Sequence, residues 1–445
     1  MSVLLWLLAC SPEPPAAPPP PRFSPPPIQR IDRDPGAPDG LAPDTRTLVF
    51  FVADTVRADR TSVCGHPRPT TPTLAGLVEG GAQLRCDGVS PGSWTVPAHA
   101  SLFSGLNPWE HGAHRYDAVS GDCATVYEEA LVGSLAAPTW LSQLQDRGWR
   151  TVCLTENKAV SDAFGLTAGC GTWIQVHKWA AERDPERSVQ AFAAQALASD
   201  DPRPLALFVN VMDAHRRLAE VPEGHAWLPR QPPLGADETW DELRLAPDGP
   251  LRTRYDDLYD HGVWRADQKL GQILAVARAE RPDGLRLVAT SDHGEMLGEG
   301  GFVSHGNGVW DPLIRVPVVV EGFAAPLSEG PLSTAVLRDL VLGEPLRDAP
   351  SVAVSTPNPF WAGRFPAGWA DQVEVVRYDG SGRTLCREGG CVAQVAPVPV
   401  NDAGEPVQAP ELVRLRDALP RALDCARVTG LDERLELLRE LGYIE

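Results

Sequence analysis

Thr47-Leu-Val-Phe-Phe-Val-Ala-Asp54 is a run of apolar and β-branched residues closed by a carboxylate. A continuous apolar stretch of strand length, without polar alternation, is the pattern of a strand covered on both faces, as in a parallel sheet flanked by helices. Leu205-Ala-Leu-Phe-Val-Asn-Val211, Arg286-Leu-Val-Ala-Thr290 and residues 314–320 read the same way, and 150–154 is a shorter strand. Helical spacing falls between them, at about 71–79, 98–104, 138–147, 185–198 and 254–279. This alternation predicts a doubly wound α/β sheet. Ligands of such sheets sit beyond the carboxyl ends of the strands, where Asp54 and the pair Asp292-His293 would be delivered.

The chain has 445 residues and a formal charge of −19, which excludes nucleic acid as a partner because phosphate backbones select basic faces. Only Lys158, Lys178 and Lys269 are lysines, so cationic contact with an anionic substrate falls to arginine, histidine or a metal. Residues 1–10 form an apolar run ending Leu7-Leu-Ala-Cys10, too short to span a bilayer. The run resembles a bacterial lipoprotein signal, although no basic residue opens it. Cleavage before Cys10 and lipid on its sulfur would anchor the protein to a membrane. Residues 11–45, rich in proline up to residue 27, read as a linker or tether. The protein is therefore expected to be exported, as a periplasmic or outer-membrane lipoprotein of a bacterium. Eight further cysteines are compatible with disulfides whose pairing is open, though Cys386 and Cys391 are close enough to bridge a hairpin. After about residue 325 the elements shorten. Residues 372–392 suggest a small antiparallel sheet, and 431–442 an amphipathic helix. The expected organisation is a catalytic domain over 46–325 and a C-terminal α+β subdomain over 326–445.

Five segments occur in an order that resembles the sulfatase family of the alkaline-phosphatase-like superfamily. They are Phe50-Phe-Val-Ala-Asp-Thr-Val-Arg-Ala-Asp59, Thr70-Thr-Pro-Thr-Leu74, Thr95-Val-Pro-Ala-His-Ala-Ser-Leu102, Gly105-Leu-Asn-Pro-Trp-Glu-His-Gly112 and Ser291-Asp-His-Gly-Glu295. The resemblance implies an alkaline-phosphatase/sulfatase-like fold and one divalent metal ion, Zn, Mn, Mg or Ca. It also implies an anionic ester substrate. Metal ligands would be Asp54, Asp292 and His293, with Thr95 as a metal-bound nucleophile. Carboxylate and imidazole suit these cations physically. Gly294 would allow the turn that lets two adjacent residues reach one ion.

The chain departs from the family at informative places. Thr95 stands where sulfatases carry the Cys or Ser converted to formylglycine, and a secondary alcohol cannot yield that aldehyde. Threonine here resembles the phosphoethanolamine and phosphoglycerol transferases and phosphodiesterases of the superfamily, which form a phospho-threonine. Thr55 replaces a second Asp. His99 replaces an arginine and could contact substrate or hold the Thr95 turn. His111 reads as structural. The family's Gly-Lys-x-His is absent, leaving Glu156 and Lys158 near that register, with Lys158 a candidate substrate contact. His215 and His305 occupy registers where relatives contact the leaving group and the ester oxygens, work suited to imidazole. The expectation is a metal-dependent phosphate or sulfate ester hydrolase. The alternatives are an arylsulfatase-like enzyme without formylglycine and an inactive surface binding protein of the same fold.

Overall fold

In a computed structural model of the chain, the described residues are 28–37, 46–114, 118–120, 132–178, 184–234, 249–356 except 283 and 307, 373–379, 382–387, 389–394, 405–419 and 422–424. The apolar runs form one nine-stranded sheet. Its strands are β1 (Gln29–Asp32), β2 (Thr47–Ala53), β3 (Gln83–Val89), β4 (Arg150–Thr155), β5 (Thr172–Gln175), β6 (Leu205–Val211), β7 (Leu285–Thr290), β8 (Arg315–Glu321) and β9 (Leu332–Ser333). They lie in the order β1-β5-β4-β6-β2-β7-β8-β3-β9. The stretch β5-β4-β6-β2-β7 is parallel.

Three features of the sheet differ from the sequence expectation. Strand β8 runs antiparallel to both β7 and β3. Strand β1, within the stretch expected to be linker, pairs antiparallel with β5 at the edge. Strand β9 adds a further pair beside β3 after residue 325.

Alternation along β2 explains why the run has no polar face. Leu48, Phe50 and Val52 point into one apolar layer, and Val49 and Phe51 into the other. The first layer is closed by α2 (Thr95–Ser104) and α3 (Trp140–Asp146), with Phe50 stacked on Trp140 at 5.2 Å. The second is closed by α1 (Pro72–Glu79), α4 (Val189–Leu197) and the 31-residue α5 (Pro250–Glu280). Gly262 lets α5 press on the loop after β6, because a Cβ there would sit 2.4 Å from the Asp213 carbonyl oxygen.

Among the described residues three disulfides are formed, Cys64–Cys86, Cys153–Cys170 and Cys386–Cys391, the last across the expected hairpin. Among the described residues no helix is long and apolar enough to cross a membrane. Cys10 and the expected signal, most of the linker and the helix expected at 431–442 lie outside the described residues.

A five-stranded antiparallel sheet follows: β10 (Val352–Ser355), β11 (Glu374–Tyr378), β12 (Arg383–Arg387), β13 (Gly390–Gln394) and β14 (Glu405–Val407). It holds two loops of the main domain. The Val354 amide donates to Pro91 O at 2.9 Å, and the Val309 amide to Glu374 Oε2 at 3.1 Å. The guanidiniums of Arg383 and Arg387 lie 5.4 and 5.3 Å from the Trp310 ring centre. The two loops also join each other, through the Gly306 amide and Ser93 O at 2.8 Å.

Candidate active site and metal centre

Strand β2 ends where the Asp54 amide donates to Val211 O, and Asp54 is fully buried. The next residue, Thr55, has φ 63°, an uncommon and strained conformation for a β-branched side chain. Two contacts over-determine it. Its amide donates to Asp292 Oδ1 at 3.2 Å, and the Tyr259 hydroxyl donates to its carbonyl at 2.5 Å. Its own hydroxyl turns back to Asp54 O, so Thr55 contributes no side-chain donor to the centre.

Asp292 and His293 follow β7 on a turn. Gly294 is required there because a Cβ would meet Pro312 O at 1.9 Å. Asp54, Asp292 and His293 form a buried group whose donor atoms lie within 4.8 Å of one another. His293 Nδ1 sits 2.9 Å from Gly294 O and so carries the proton, leaving a lone pair on Nε2. That lone pair is 3.3 Å from Asp292 Oδ2 and 4.0 Å from Asp54 Oδ1. Among the described residues neither Asp54 Oδ1 nor His293 Nε2 has a hydrogen-bond partner. Burial and the neighbouring Asp292 push the Asp54 carboxyl well above its ordinary range. Donor atoms converging on one buried point suit a divalent cation, whose charge would offset both desolvation and mutual repulsion. The donor set therefore fits the expected metal.

Thr95 is the first residue of α2 and is fully buried. Its Oγ1 accepts from Asn157 Nδ2 at 3.1 Å, and the same NH₂ group donates to Asp54 Oδ2 at 2.6 Å. Asn157 thereby joins the threonine to the carboxylate cluster. It sits in a tight turn after β4, its amide donating to Thr155 Oγ1 while that hydroxyl donates to Asn157 O.

His99 is fully buried beside the Thr95 turn. Its Nδ1 is 3.1 Å from Thr95 O and 3.3 Å from Asp292 Oδ2, and its ring packs edge-on against Phe103 and Phe208 of the core. Lys158 is half-buried beside Asn157. Glu156 points elsewhere: its carboxylate accepts from Lys269 Nζ at 2.6 Å and the Met212 amide at 2.9 Å.

The other two histidines close the opposite side. The His305 ring centre is 4.5 Å from that of His293 and 5.1 Å from that of His215. His305 Nδ1 lies 3.2 Å from Glu295 Oε2. Lys178 Nζ donates to the carbonyls of His215 and Arg216 at 3.1 and 2.9 Å and fixes that turn. Burial, then neighbouring positive groups, hold both imidazoles below the usual histidine range, His305 at about 3. Both are neutral in the free protein, and the proton of His215 lies on Nδ1, 3.3 Å from Arg216 O.

Sequence reading did not single out Asn157 for the site. Its register among Glu156 and Lys158 drew attention to its charged neighbours, and only the fold shows which of the three faces Asp54.

His111 is structural in this arrangement. Nδ1 accepts from the Ala113 amide at 2.9 Å and Nε2 meets Ser101 Oγ at 3.1 Å, while burial lowers its pKa to about 3. Below pH ~6.5 the unfolded chain binds a proton that the folded one refuses, so this group removes stability as pH falls toward that lowered value. The expected loss between pH 6.5 and 5 is about 2 kcal/mol at roughly 1.4 kcal/mol per unit. Denaturant unfolding of His111→Gln should show a correspondingly flatter acid slope; an equal slope would exclude this account.

The family model Sulfatase matches residues 46–322. The uncharacterized sulfatase YidJ of Escherichia coli (strain K12) is 30% identical over 108 residues, 23% of this chain and 18% of that protein, so the match spans less than a fifth of the relative. Among solved structures, the phosphonate monoester hydrolase of Silicibacter pomeroyi superposes with a TM-score of 0.56 at 17% identity, over 84% of this chain and 94% of that one. A 2-O GAG sulfatase gives 0.55 at 12% identity, over 89% and 92%. These superpositions establish the fold.

Proposed function

Because this chain belongs to the sulfatase family of metal-dependent hydrolases, we propose that it hydrolyses a phosphate ester through Thr95 as nucleophile. The observation that carries this reading is the shared Asn157 amide, which binds Thr95 Oγ1 and Asp54 Oδ2 together. That contact occupies a lone pair of the hydroxyl and fixes its rotamer beside the donor cluster. A divalent cation held by Asp54, Asp292 and His293 would supply Lewis acidity for the hydroxyl and the ester oxygens.

The chain's own residues do the rest. Thr95 Oγ1 gives its proton to solvent and bonds to phosphorus as the bond to the alcohol oxygen breaks in line. The first amides and dipole of α2 favour the anion at this spot. The approaching anion raises the proton affinity of His305 and His215, so that one of them takes a proton from solvent on its unprotonated ring nitrogen and passes it to the departing alkoxide. Water then cleaves the threonine ester. A threonine cannot form the aldehyde hydrate of formylglycine, which is why phosphorus is favoured over sulfur.

Export is part of the proposal. The three disulfides support an oxidising compartment, and the lipid anchor rests on Cys10.

The test is a rate comparison of metal-reconstituted protein on an aryl phosphate monoester, an aryl phosphodiester and an aryl sulfate. Turnover of a phosphate ester is expected; turnover of the sulfate alone would overturn the nucleophile assignment. Asn157→Ala should lower kcat by roughly 10²-fold, the size of an oriented polar donor's contribution, with little change in KM. A fall in KM-limited rate alone would make Asn157 a substrate contact instead.

A further inference from the structure

The loop that leads into α2 is pinned along its whole length, residues 90–93. The Ser90 amide donates to Ile314 O at 2.8 Å, and the Ser90 hydroxyl to Gly92 O at 2.7 Å. Pro91 O accepts from the Val354 amide at 2.9 Å, and Ser93 O from the Gly306 amide, next to His305, at 2.8 Å. Gly92 lets the loop close on the first turn of α2, because a Cβ there would meet Pro97 Cγ at 2.8 Å. Ser93 is fully buried, and among the described residues its hydroxyl has no hydrogen-bond partner. A buried hydroxyl in that state is unfavourable unless a ligand brings the partner.

The backbone places this hydroxyl on the side of Thr95. Trp94, between the two residues, is extended at φ −158° and ψ 167°, and its indole belongs to the first apolar layer. Side chains alternate along an extended segment, so Ser93 and Thr95 project together on the side opposite that indole. The start of α2 is also short of donors for an anion. No side chain caps it, and Pro97, in its first turn, has no N–H. The Thr95 and Val96 amides remain, one fewer than an ordinary helix start would turn toward an anion.

We propose that Ser93 is a substrate-binding residue, its hydroxyl donating to a non-bridging oxygen of the phosphate ester in place of the amide that Pro97 lacks. The inference rests on the Thr95 reading for the position of the ester. A non-bridging oxygen carries negative charge in the bound ester and in the transition state alike, so the contact strengthens both, and its loss falls on KM more than on kcat.

The test is calorimetric titration of the metal-loaded protein with inorganic phosphate. Ser93→Ala is expected to bind phosphate about ten- to a hundredfold more weakly than wild type, the size of a hydrogen bond to a charged oxygen. The same ratio is expected when Ser93→Ala is added to Thr95→Ala. Metal-free Ser93→Ala should melt no lower than metal-free wild type, because the substitution removes a hydroxyl that has no partner in the free protein. Equal phosphate affinity in Ser93→Ala, no phosphate binding by wild type, or a lower melting temperature of the variant would overturn the assignment. In turnover of an aryl phosphate, Ser93→Ala should raise KM by about tenfold or more with little change in kcat; a fall in kcat alone counts against it. Absence of any turnover by wild type would instead overturn the Thr95 reading, and the phosphate titration would still decide Ser93.

Discussion

Thr95→Ala is expected to lower kcat by on the order of 10⁴-fold or more, because loss of a covalent nucleophile removes the reaction path itself. At about 1.36 kcal/mol per decade this is roughly 5 kcal/mol of transition-state stabilisation. The structural cost should be much smaller. The side chain sits at the start of α2, and its hydroxyl accepts one hydrogen bond, from Asn157, so about 1 kcal/mol of stability is at stake. Metal stoichiometry should survive, since Asp54, Asp292 and His293 are untouched. Thr95→Ser keeps a primary hydroxyl in place and should retain measurable turnover. Acid quenching of the wild type during turnover should leave phosphate on the peptide containing Thr95. An alanine variant that keeps more than about one per cent of the rate would overturn the assignment, because background catalysis by the remaining site cannot supply that much.

Asp54→Asn should move two quantities in opposite directions. The buried Asp54 Oδ1 has no hydrogen-bond partner and faces Asp292, and these surroundings raise its pKa. A carboxyl whose folded pKa is raised costs stability as pH climbs from the ordinary carboxylate range to the raised value, because the unfolded chain gives up its proton first. The metal-free variant lacks that cost and should melt at a higher temperature than metal-free wild type near pH 8. Its metal affinity should fall by roughly 10²–10³-fold, taking ~10–16 kcal/mol over four ligands as a guide to one ligand's share. In the wild type the arriving metal displaces the Asp54 proton, so affinity should rise with pH until that carboxyl is ionised; in the variant this rise should be absent. Calorimetric titration across pH, with melting curves of the stripped proteins, measures both. Unchanged affinity would remove Asp54 from the ligand set.

What could be read from the residues was whatever a strand's periodicity and its end make visible. Strands β2, β6 and β7 are apolar throughout because both faces are covered, and the same pattern marked Asp54 and Asp292-His293 as strand-end donors. Thr95 was legible through the order of the five segments. The direction of β8 was not: an apolar run has the same pattern in a parallel or antiparallel pair. Strand β1 is four residues at a sheet edge, with only Ile31 not exposed, so it carries too little burial to be distinguished from linker. Asn157 was hidden for a different reason. It is 103 residues from Asp54 and 62 from Thr95, and an amide between two charged residues has no local signature.

The small C-terminal sheet holds the loops at 91–93 and 306–310 through Val354 and Glu374, beyond the family match that ends at residue 322. A ribosome that has released 322 residues has therefore made every proposed ligand, the proposed nucleophile and both candidate histidines, but neither of the groups that clamp the loops beside Thr95 and His305. Chemical competence arrives late in synthesis, when β10 and β11 emerge. A gene fragment cut at the family boundary would encode the whole reaction centre without the parts that hold it in register.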